Sequence, residues 1–300
     1  MSSEMSGKIK NIVGWQGLLL FSLLIVMGFI WYLVIFTSTS KLKVGFLDIG
    51  QGDSIYIEAP NGNQVLIDGG PNKSVLRALG EVMPWADHSL DLVVATHVDA
   101  DHIGGLPAVL GRYEVAAVLS NGQGSKTAIY KSWQEAIATE VKTGAKSLLA
   151  KRGERFILDR SNQIYLDILF PYSVPSGKDT NDGSIVAKLT YGTQVFMLTG
   201  DATIKVEQQL LLANANELKA TVLKAGHHGS KTSSSAPFVA AVAPTYAIIS
   251  AGEHNRYGHP HQITLDTLTK AGAKILRTDQ LGTIICLSTI SVTTCDGKAL

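Results

Sequence analysis

Cysteine is scarce in this chain. Its 300 residues include only two, Cys286 and Cys295, and no Cys-x-x-Cys pair occurs, which excludes a zinc site built on thiolates. A surplus of charge of one sign is also missing. The net charge is +1, so no globally basic field exists, and any polyanion must be held by a local site. Short-period repeats and low-complexity tracts are absent, which removes solenoid and fibrous architectures from consideration.

A further absence is local. Residues 11–40 contain no Asp, Glu, Lys or Arg. Within them "WQGLLLFSLLIVMGFIWYLVIF" (15–36) is 22 residues long, and as a helix it would extend about 33 Å, enough to cross a bilayer. Trp15, Trp31 and Tyr32 lie toward its ends, where amphipathic rings favour the interface. A cleaved signal peptide would have a shorter apolar core, about 7–15 residues, ending at a small-residue site. The expectation is therefore a single uncleaved transmembrane helix. It follows a tail of residues 1–14 and precedes a linker of residues 37–42. Lys8 and Lys10 before it, and Lys41 and Lys43 after it, do not decide its orientation.

Beyond the linker, short apolar runs alternate with helical periods. "KVGFLDI" and "DSIYIEA" read as strands, and "PNGN" (60–63) supplies the turn that joins "DSIYIEA" to "QVLIDGG" as a hairpin. "DLVVAT", "VAAVLSN", "RFILD", "QIYLDILFP", "SIVAKLTYG", "QVFMLTG", "ATVLKAG", "YAIISAG", "KILRTD" and "GTIICLS" read as further strands. Residues 73–82, "VEQQLLLANAN", "SAPFVAAVA" and "QITLDTLTKAG" read as helices, as does "YKSWQEAIATEV", where Trp133, Ile137 and Val141 recur at helical spacing. Each half of the chain begins with strands and then alternates strands with helices. Two mixed sheets packed face to face, with helices on both outer sides, satisfy that pattern. The segment 282–297 folds naturally as a hairpin around Ile290-Ser291, a register that sets Cys286 opposite Cys295. A disulfide there would imply an oxidising compartment; two unrelated buried thiols are the alternative, and both stay open.

The densest chemistry is "ATHVDADHIGGL" (95–106), which follows the buried strand "LDLVVAT". As a strand runs into a loop, alternate residues point the same way, so His97, Asp99 and Asp101 face one region and His102 swings in behind them. Carboxylates and imidazoles aimed at one point repel or desolvate one another unless a cation neutralises them. Gly104 and Gly105 would let the backbone pass closely. In the second half, "FMLTGD" ends an apolar strand on Asp201, and "VLKAGHHGS" ends another on His227 and His228. Three strands that each end on metal-ligating groups point to a divalent metal centre.

His-x-Asp-x-Asp-His-x-Gly-Gly, Thr-Gly-Asp and His-His-Gly-Ser together resemble the metallo-β-lactamase superfamily, and most closely the hydrolase domain of ComEC-type DNA-uptake proteins. "FLDIGQGDS" (46–54), "LIDGG" (66–70), "NDGSIV" (181–186) and "SAGEHNRYGHP" (250–260) extend the resemblance over nearly all of the chain after the linker. It implies an α/β fold, the αββα sandwich, across a hydrolase domain of residues 43–290, with 291–300 as a C-terminal strand or tail. Superfamily members carry His-x-His-x-Asp-His. Here His97 and Asp99 correspond to the first pair, Asp101 and His102 to the second, Asp201 to the bridging aspartate, and His227 or His228 to the last histidine, with a lean to His228.

The chain departs from that pattern twice. Asp99 stands where a histidine is usual, and no histidine occurs between His102 and His227. Asn181 or Asp182 lies near the missing ligand's place. The oxygen-rich first site makes manganese, or magnesium, an expected ion beside zinc, with one or two ions bound.

The expected chemistry is metal-assisted hydrolysis of a phosphodiester, with single-stranded DNA as substrate by resemblance. Asp99 or Asp101 would hold the attacking water, and His227, His228 or His259 would steady charge or protonate the leaving group. Ser184, Asn181, Asn255, Arg256 and Tyr257 are the expected substrate contacts. Asp53 and Asp68 would orient ligands from behind, and Lys224 and Lys231 would add local positive charge. The membrane is an expected partner through the one helix, with the hydrolase outside the cytoplasm; a separate channel or competence protein is another, since one span cannot conduct DNA. Alternatives are hydrolysis of another anionic ester, of phosphocholine or lactone type, and a non-catalytic, tethered DNA-binding module with a vestigial metal site.

Overall fold

The computed structural model describes residues 15–31 and 41–297. The chain divides into two compact units at the Ser40/Lys41 boundary. In the first, residues 15–31 form helix α1. Among the described residues no helix is long and apolar enough to cross a membrane; residues 32–36 of the expected span lie outside the described set.

The second unit holds two large sheets. The first has eight strands. Its antiparallel part is β1 (Leu42–Phe46), β2 (Ile55–Glu58) and β3 (Gln64–Ile67), flanked on the β1 side by β16 (Ile284–Ser288) and β17 (Thr293–Gly297). Beyond β3, the strands β5 (Leu92–Ala95), β7 (Ala117–Ser120) and β8 (Lys146–Leu149) run parallel. The second sheet has seven strands. β9 (Arg155–Asp159), β10 (Ile164–Phe170), β11 (Val186–Tyr191) and β12 (Gln194–Leu198) are antiparallel, and β13 (Val222–Lys224), β14 (Tyr246–Ile249) and β15 (Lys274–Arg277) continue parallel from β12. A short parallel pair, β4 (Ser89–Leu90) with β6 (Glu114–Val115), stands apart.

Alternation along the strands sorts side chains into layers. On β3, Val65 and Ile67 enter the core between the sheets, whereas Leu66 packs outward under helices. Those helices are α2 (Ser74–Val82), α3 (Ala100–Ile103), α4 (Leu106–Leu110) and α5 (Ala128–Thr143). On the second sheet's outer face lie α6 (Ile204–Asn214), α7 (Ala236–Val242) and α8 (Gln262–Lys270), whose Val206, Phe238 and Leu268 close a third apolar layer; a short helix α9 (Thr278–Leu281) follows β15. The result is the αββα sandwich. β5 is buried along its whole length, as a parallel strand covered on both faces must be.

Both edges of the first sheet bear on the sequence expectations. β8, "KSLL", is a mostly exposed edge strand, and it carries no period-two signal to announce it. At the opposite edge, β17 pairs with β16 so that Cys286 faces Cys295, and the two form a disulfide. The open choice between a bridge and two free thiols is resolved for the bridge.

Candidate metal centre

The centre lies where strands of both sheets end. β5 releases the chain at Ala95, and His97 and Asp99 precede α3, which carries Asp101 and His102. This loop is pinned from behind by Asp68, just after β3. The Asp68 carboxylate accepts from the Thr96 N–H (2.8 Å) and the Thr96 hydroxyl (2.7 Å), and stands 2.8 Å from His102 Nδ1. A carboxylate at Nδ1 fixes the ring's tautomer and turns Nε2 inward. The glycines next to the motif are required by close approach. A Cβ on Gly105 would lie 2.1 Å from the Gly69 carbonyl oxygen, and one on Gly52 would lie 2.2 Å from that of Asp101.

From the second sheet, Asp201 follows β12, its N–H donating to Ser184 Oγ (3.2 Å). After β13, the 3-10 turn Gly226–Gly229 holds His227 and His228 both at left-handed φ, 48° and 54°. For residues other than glycine that costs of order 1 kcal/mol each, and here it splays the two rings. His228 is buried, with Nδ1 3.0 Å from the Ser250 carbonyl. His227 is partly exposed, with Nδ1 3.1 Å from the Thr232 hydroxyl.

Four buried imidazole nitrogens have no hydrogen-bond partner: Nε2 of His97, His102 and His228, and Nδ1 of His259. Asp201 Oδ2 is 3.3 Å from Nε2 of both His102 and His228, and Asp101 Oδ2 is 3.4 Å from Nε2 of His228. Two atoms each about 2.0–2.1 Å from a shared tetrahedral ion sit about 3.3–3.4 Å apart. The spacing is that of ligands around a common point. His97, His102 and Asp201 form a second converging set. The residues present fit a divalent cation.

The electrostatics agree. Burial opposes charge on His102 and His228, but carboxylates outweigh it: Asp201 and Asp68 at the first, Asp201 and Asp53 at the second. Both rings are held well above the ordinary histidine pKa. Burial likewise opposes charge on Asp201 and Asp101, yet the neighbouring histidines, with Lys224 at Asp201, hold both below the usual carboxylate range. The pocket is anionic by construction and calls for positive charge.

The remaining expected residues divide. Asp99 stands 3.6 Å from His97 Nε2 and accepts from the Thr180 hydroxyl (2.6 Å). Asn181 has a buried Oδ1 without a partner. Asp182 is turned away, engaged by Thr203 (2.6 Å) and Lys205 (2.7 Å). Ser184 is fully buried against Asp201, so it positions that aspartate and is not a surface for substrate. Asn255 donates to the carbonyls of Gly252 and His259 and accepts from the N–H groups of Tyr257 and His259. With that capacity used up, it shapes its loop and has nothing left to offer a substrate. Arg256, Tyr257 and His259 form a ladder. The guanidinium donates to the Tyr257 hydroxyl (2.8 Å), Tyr257 stacks on His259 (5.7 Å between centroids), and His259 lies 5.5 Å from His227. Burial and the adjacent histidines push His259 down to about 4.

Lys224 requires a correction. It is buried and forms ion pairs with Asp53 and, at 3.5 Å, with Asp201. It is an internal brace and adds no charge at the surface; Lys231 is exposed. Asp53 faces His228 Nδ1 at 3.4 Å. Thr96, Thr180 and the Ser250 carbonyl were not singled out by the sequence. Only Thr96, beside the motif, carried any signal; the others come from distant segments.

An αββα sandwich whose two sheets present histidines and aspartates at one rim defines a metal-dependent class of folds. The model of the metallo-beta-lactamase superfamily matches residues 47–254, and the chain belongs to that superfamily. It is 35% identical over 264 residues to ComE operon protein 3 of Bacillus subtilis (strain 168), covering 82% of this chain and 33% of the relative. It is 31% identical over 275 residues to Competence protein ComA of Neisseria gonorrhoeae, covering 89% of this chain and 35% of the relative. The chain thus spans about a third of the length of these relatives. Among solved structures, Igni18, a metallo hydrolase from Ignicoccus hospitalis, superposes with a TM-score of 0.51 at 17% identity, over 81% of this chain and 98% of that one. CmlA, a diiron beta-hydroxylase from Streptomyces venezuelae, reaches 0.51 at 12% identity, over 79% of this chain and 52% of that one. Those two share the fold, and one being a metallo hydrolase and the other a beta-hydroxylase, the fold does not fix the reaction.

Proposed function

We propose that this chain is a membrane-tethered, metal-dependent phosphodiesterase that cuts single-stranded DNA. The observation that carries the metal-dependent part is the convergence of three buried, unpartnered Nε2 atoms on the carboxylates of Asp101 and Asp201. The similarity to a competence protein supports DNA as the substrate.

Asp101, His102, Asp201 and His228 would hold one divalent ion. His97 and Asp99, with Asp201 between them, would hold a second. Manganese, zinc or magnesium suits such a set. When bound, the ion supplies Lewis acidity toward a phosphoryl oxygen and draws the pKa of water toward neutrality. Asp99 is ionised at neutral pH: burial opposes this, but His97 and Thr180 hold its pKa down. Its partly exposed carboxylate therefore accepts a hydrogen bond from the attacking water and aims it. His227, with its pKa also lowered, chiefly by burial, joins His259 as a neutral imidazole near pH 7. With Nδ1 of His227 against the Thr232 hydroxyl and Nδ1 of His259 buried, each ring has only Nε2 to offer, either as an N–H to a phosphate oxygen or leaving group or as a lone pair to a proton. Arg256 at the lip suits a phosphate of the incoming strand.

The tether in this reading is the apolar segment 15–36, with the N-terminus inside and the hydrolase outside. The Cys286–Cys295 disulfide supports an oxidising compartment. A separate channel or competence protein would pass on the uncut strand.

The experiment is cleavage of a labelled single-stranded oligonucleotide by the full chain with manganese, zinc or magnesium, against EDTA. Metal-dependent cleavage is expected, and none with any ion would overturn the reading. Protease added to intact cells, or to spheroplasts, is expected to remove the domain; full protection would reverse the orientation.

A further inference from the structure

The metal centre and the point where the chain enters the second unit lie at opposite ends of the first sheet. β1 is antiparallel to β2, β2 is antiparallel to β3, and β3 is parallel to β5, so β1 and β5 run the same way. β5 ends on the metal-bearing loop, whereas Leu42 begins β1. The end of the sandwich at Leu42 is therefore the one turned away from the centre.

That end carries exposed apolar side chains. Leu42 pairs with Ser288, directly before the tip of the β16–β17 hairpin, where Ile290 and Val292 are 60% and 57% exposed. The backbone of the tip is held: the Thr289 N–H donates to the Val292 carbonyl (2.8 Å), and the Thr193 N–H, from the turn between β11 and β12, donates to the Ile290 carbonyl (2.9 Å). Lys43 donates to the Val82 carbonyl (2.7 Å) at the end of α2. Three residues further on, Trp85 is 91% exposed, more than any other large apolar side chain among the described residues. Single apolar residues on a surface are ordinary, but these lie where residues 37–42 join the sandwich to the apolar segment 15–36. A linker of that length spans at most about 20 Å, so under the tether reading this end stays within that reach of the bilayer. Indole favours the interface between water and lipid, with an N–H for the headgroups beside an apolar body. Charge at this end is mixed, since Lys41 and Glu81 are both exposed, so apolar insertion carries the contact.

We propose that Trp85 and the hairpin tip at 290–292 dock on the lipid surface and so turn the metal centre toward the water. The inference rests on the tether reading and deepens it. A tether alone leaves the hydrolase free to roll, whereas docking fixes which face meets the substrate. The strand to be cut then reaches the centre from the aqueous side and not along the bilayer.

The test uses the full chain in phosphatidylcholine nanodiscs. Cys286 and Cys295 are joined to each other, so a thiol introduced by Val292→Cys takes a fluorophore selectively. Lys231→Cys, at an exposed position beside the metal centre, is the control. Lipid carrying a nitroxide near its headgroup is expected to quench the probe at 292 and to leave the probe at 231 unchanged. Lengthening the linker by about ten Gly/Ser residues after Ser40, a flexible spacer, should preserve quenching at 292, because docking holds it there. Trp85→Ser in that longer chain removes an exposed ring and no core contact. It should weaken docking about tenfold, the worth of partly burying a large apolar side chain, and quenching at 292 should fall with it. Equal quenching at the two positions, its loss with the longer linker, or no effect of Trp85→Ser would each overturn the docking surface. Extraction of the chain from membranes by alkaline carbonate would sink the tether reading instead. In that case flotation with phosphatidylcholine vesicles decides: binding that Trp85→Ser abolishes sustains the surface, and no binding, or binding indifferent to residue 85, ends it. Oligonucleotide cleavage in detergent, where no bilayer is present, tests the enzyme reading separately.

Discussion

The two halves of the metal centre are built to different standards. Around Asp101, His102, Asp201 and His228, the groups behind the ligands are themselves held. Asp68 braces His102, the Ser250 carbonyl and Asp53 brace His228, and Ser184 and Lys224 brace Asp201. Around His97 and Asp99, the ring is buried and steadied by Thr96 (3.0 Å), but the Asp99 side chain is 37% exposed and is met by Thr180 and, at 3.6 Å, His97. A braced, buried set keeps its geometry whether or not substrate is present. A partly open, oxygen-rich set gives water and substrate access. Under the proposed function, the first half would retain the ion and the second would meet the substrate.

The sharpest way to break that comparison is Asp101→Ala. It strips a carboxylate from the braced half, and the loss of metal-borne stabilisation, several kcal/mol, should cost about a thousandfold in cleavage with circular dichroism unchanged. Activity within a few-fold of wild type would remove Asp101 from the centre. Asp68→Asn touches no ion but frees the His102 ring; metal affinity, read by titration, should weaken about 10–100-fold. An unchanged affinity would show that the brace is dispensable. Asp99→His acts on the open half. Wild type should favour manganese over zinc, and the variant should move the preference toward zinc, as a softer nitrogen replaces oxygen. Tight binding of two zinc ions by wild type, with activity on zinc alone, would contradict the oxygen-rich reading.

A smaller effect is expected in pH. His102 and His228 have raised pKa values in the fold, so their contribution to stability is complete below the ordinary 6.5 and fades as pH climbs through the folded-state values. Asp101 and Asp201 are lowered, so theirs is present above 3.8 and is lost as pH falls through their folded-state values. Metal-free protein should therefore be most stable between those limits, and stabilisation by added metal should grow as pH rises, because protons and metal compete for the same nitrogens. Thermal unfolding of EDTA-treated and metal-loaded protein from pH 4 to 9 checks this. A metal increment that shrinks with rising pH would refute it.

Much of the fold was legible because its signals are local. β5 reads as a continuous apolar run, and α5 covers the residues where Trp133 and Ile137 recur, both buried. β8 was not legible, since an exposed edge strand has no buried face to impose alternation. In the centre, residue types and spacing exposed the ligand candidates, and the His-x-Asp-x-Asp-His spacing placed four of them on one loop. The roles of the neighbours were less readable. Lys224 looked like surface charge because its sequence neighbours say nothing of Asp53, 171 positions away, with which it pairs. Ser184 and Asn255 looked like substrate contacts because a polar side chain in a loop gives no hint of whether its bonds are already made.

The sequence alone therefore determined the sandwich class, the family resemblance and the side chains available for metal. Each of these follows from periodicity or from residues close together in the chain. Tertiary structure alone decided that His228 turns Nε2 inward while His227 stays partly exposed, because that depends on two left-handed backbone positions and the Ser250 carbonyl. It also decided that Lys224 turns inward to Asp53 and Asp201, and that Asp68 stands behind His102. Packing brings such groups together across distances that no local pattern encodes, and the burial and pairing that set their chemistry exist only once the two sheets have closed.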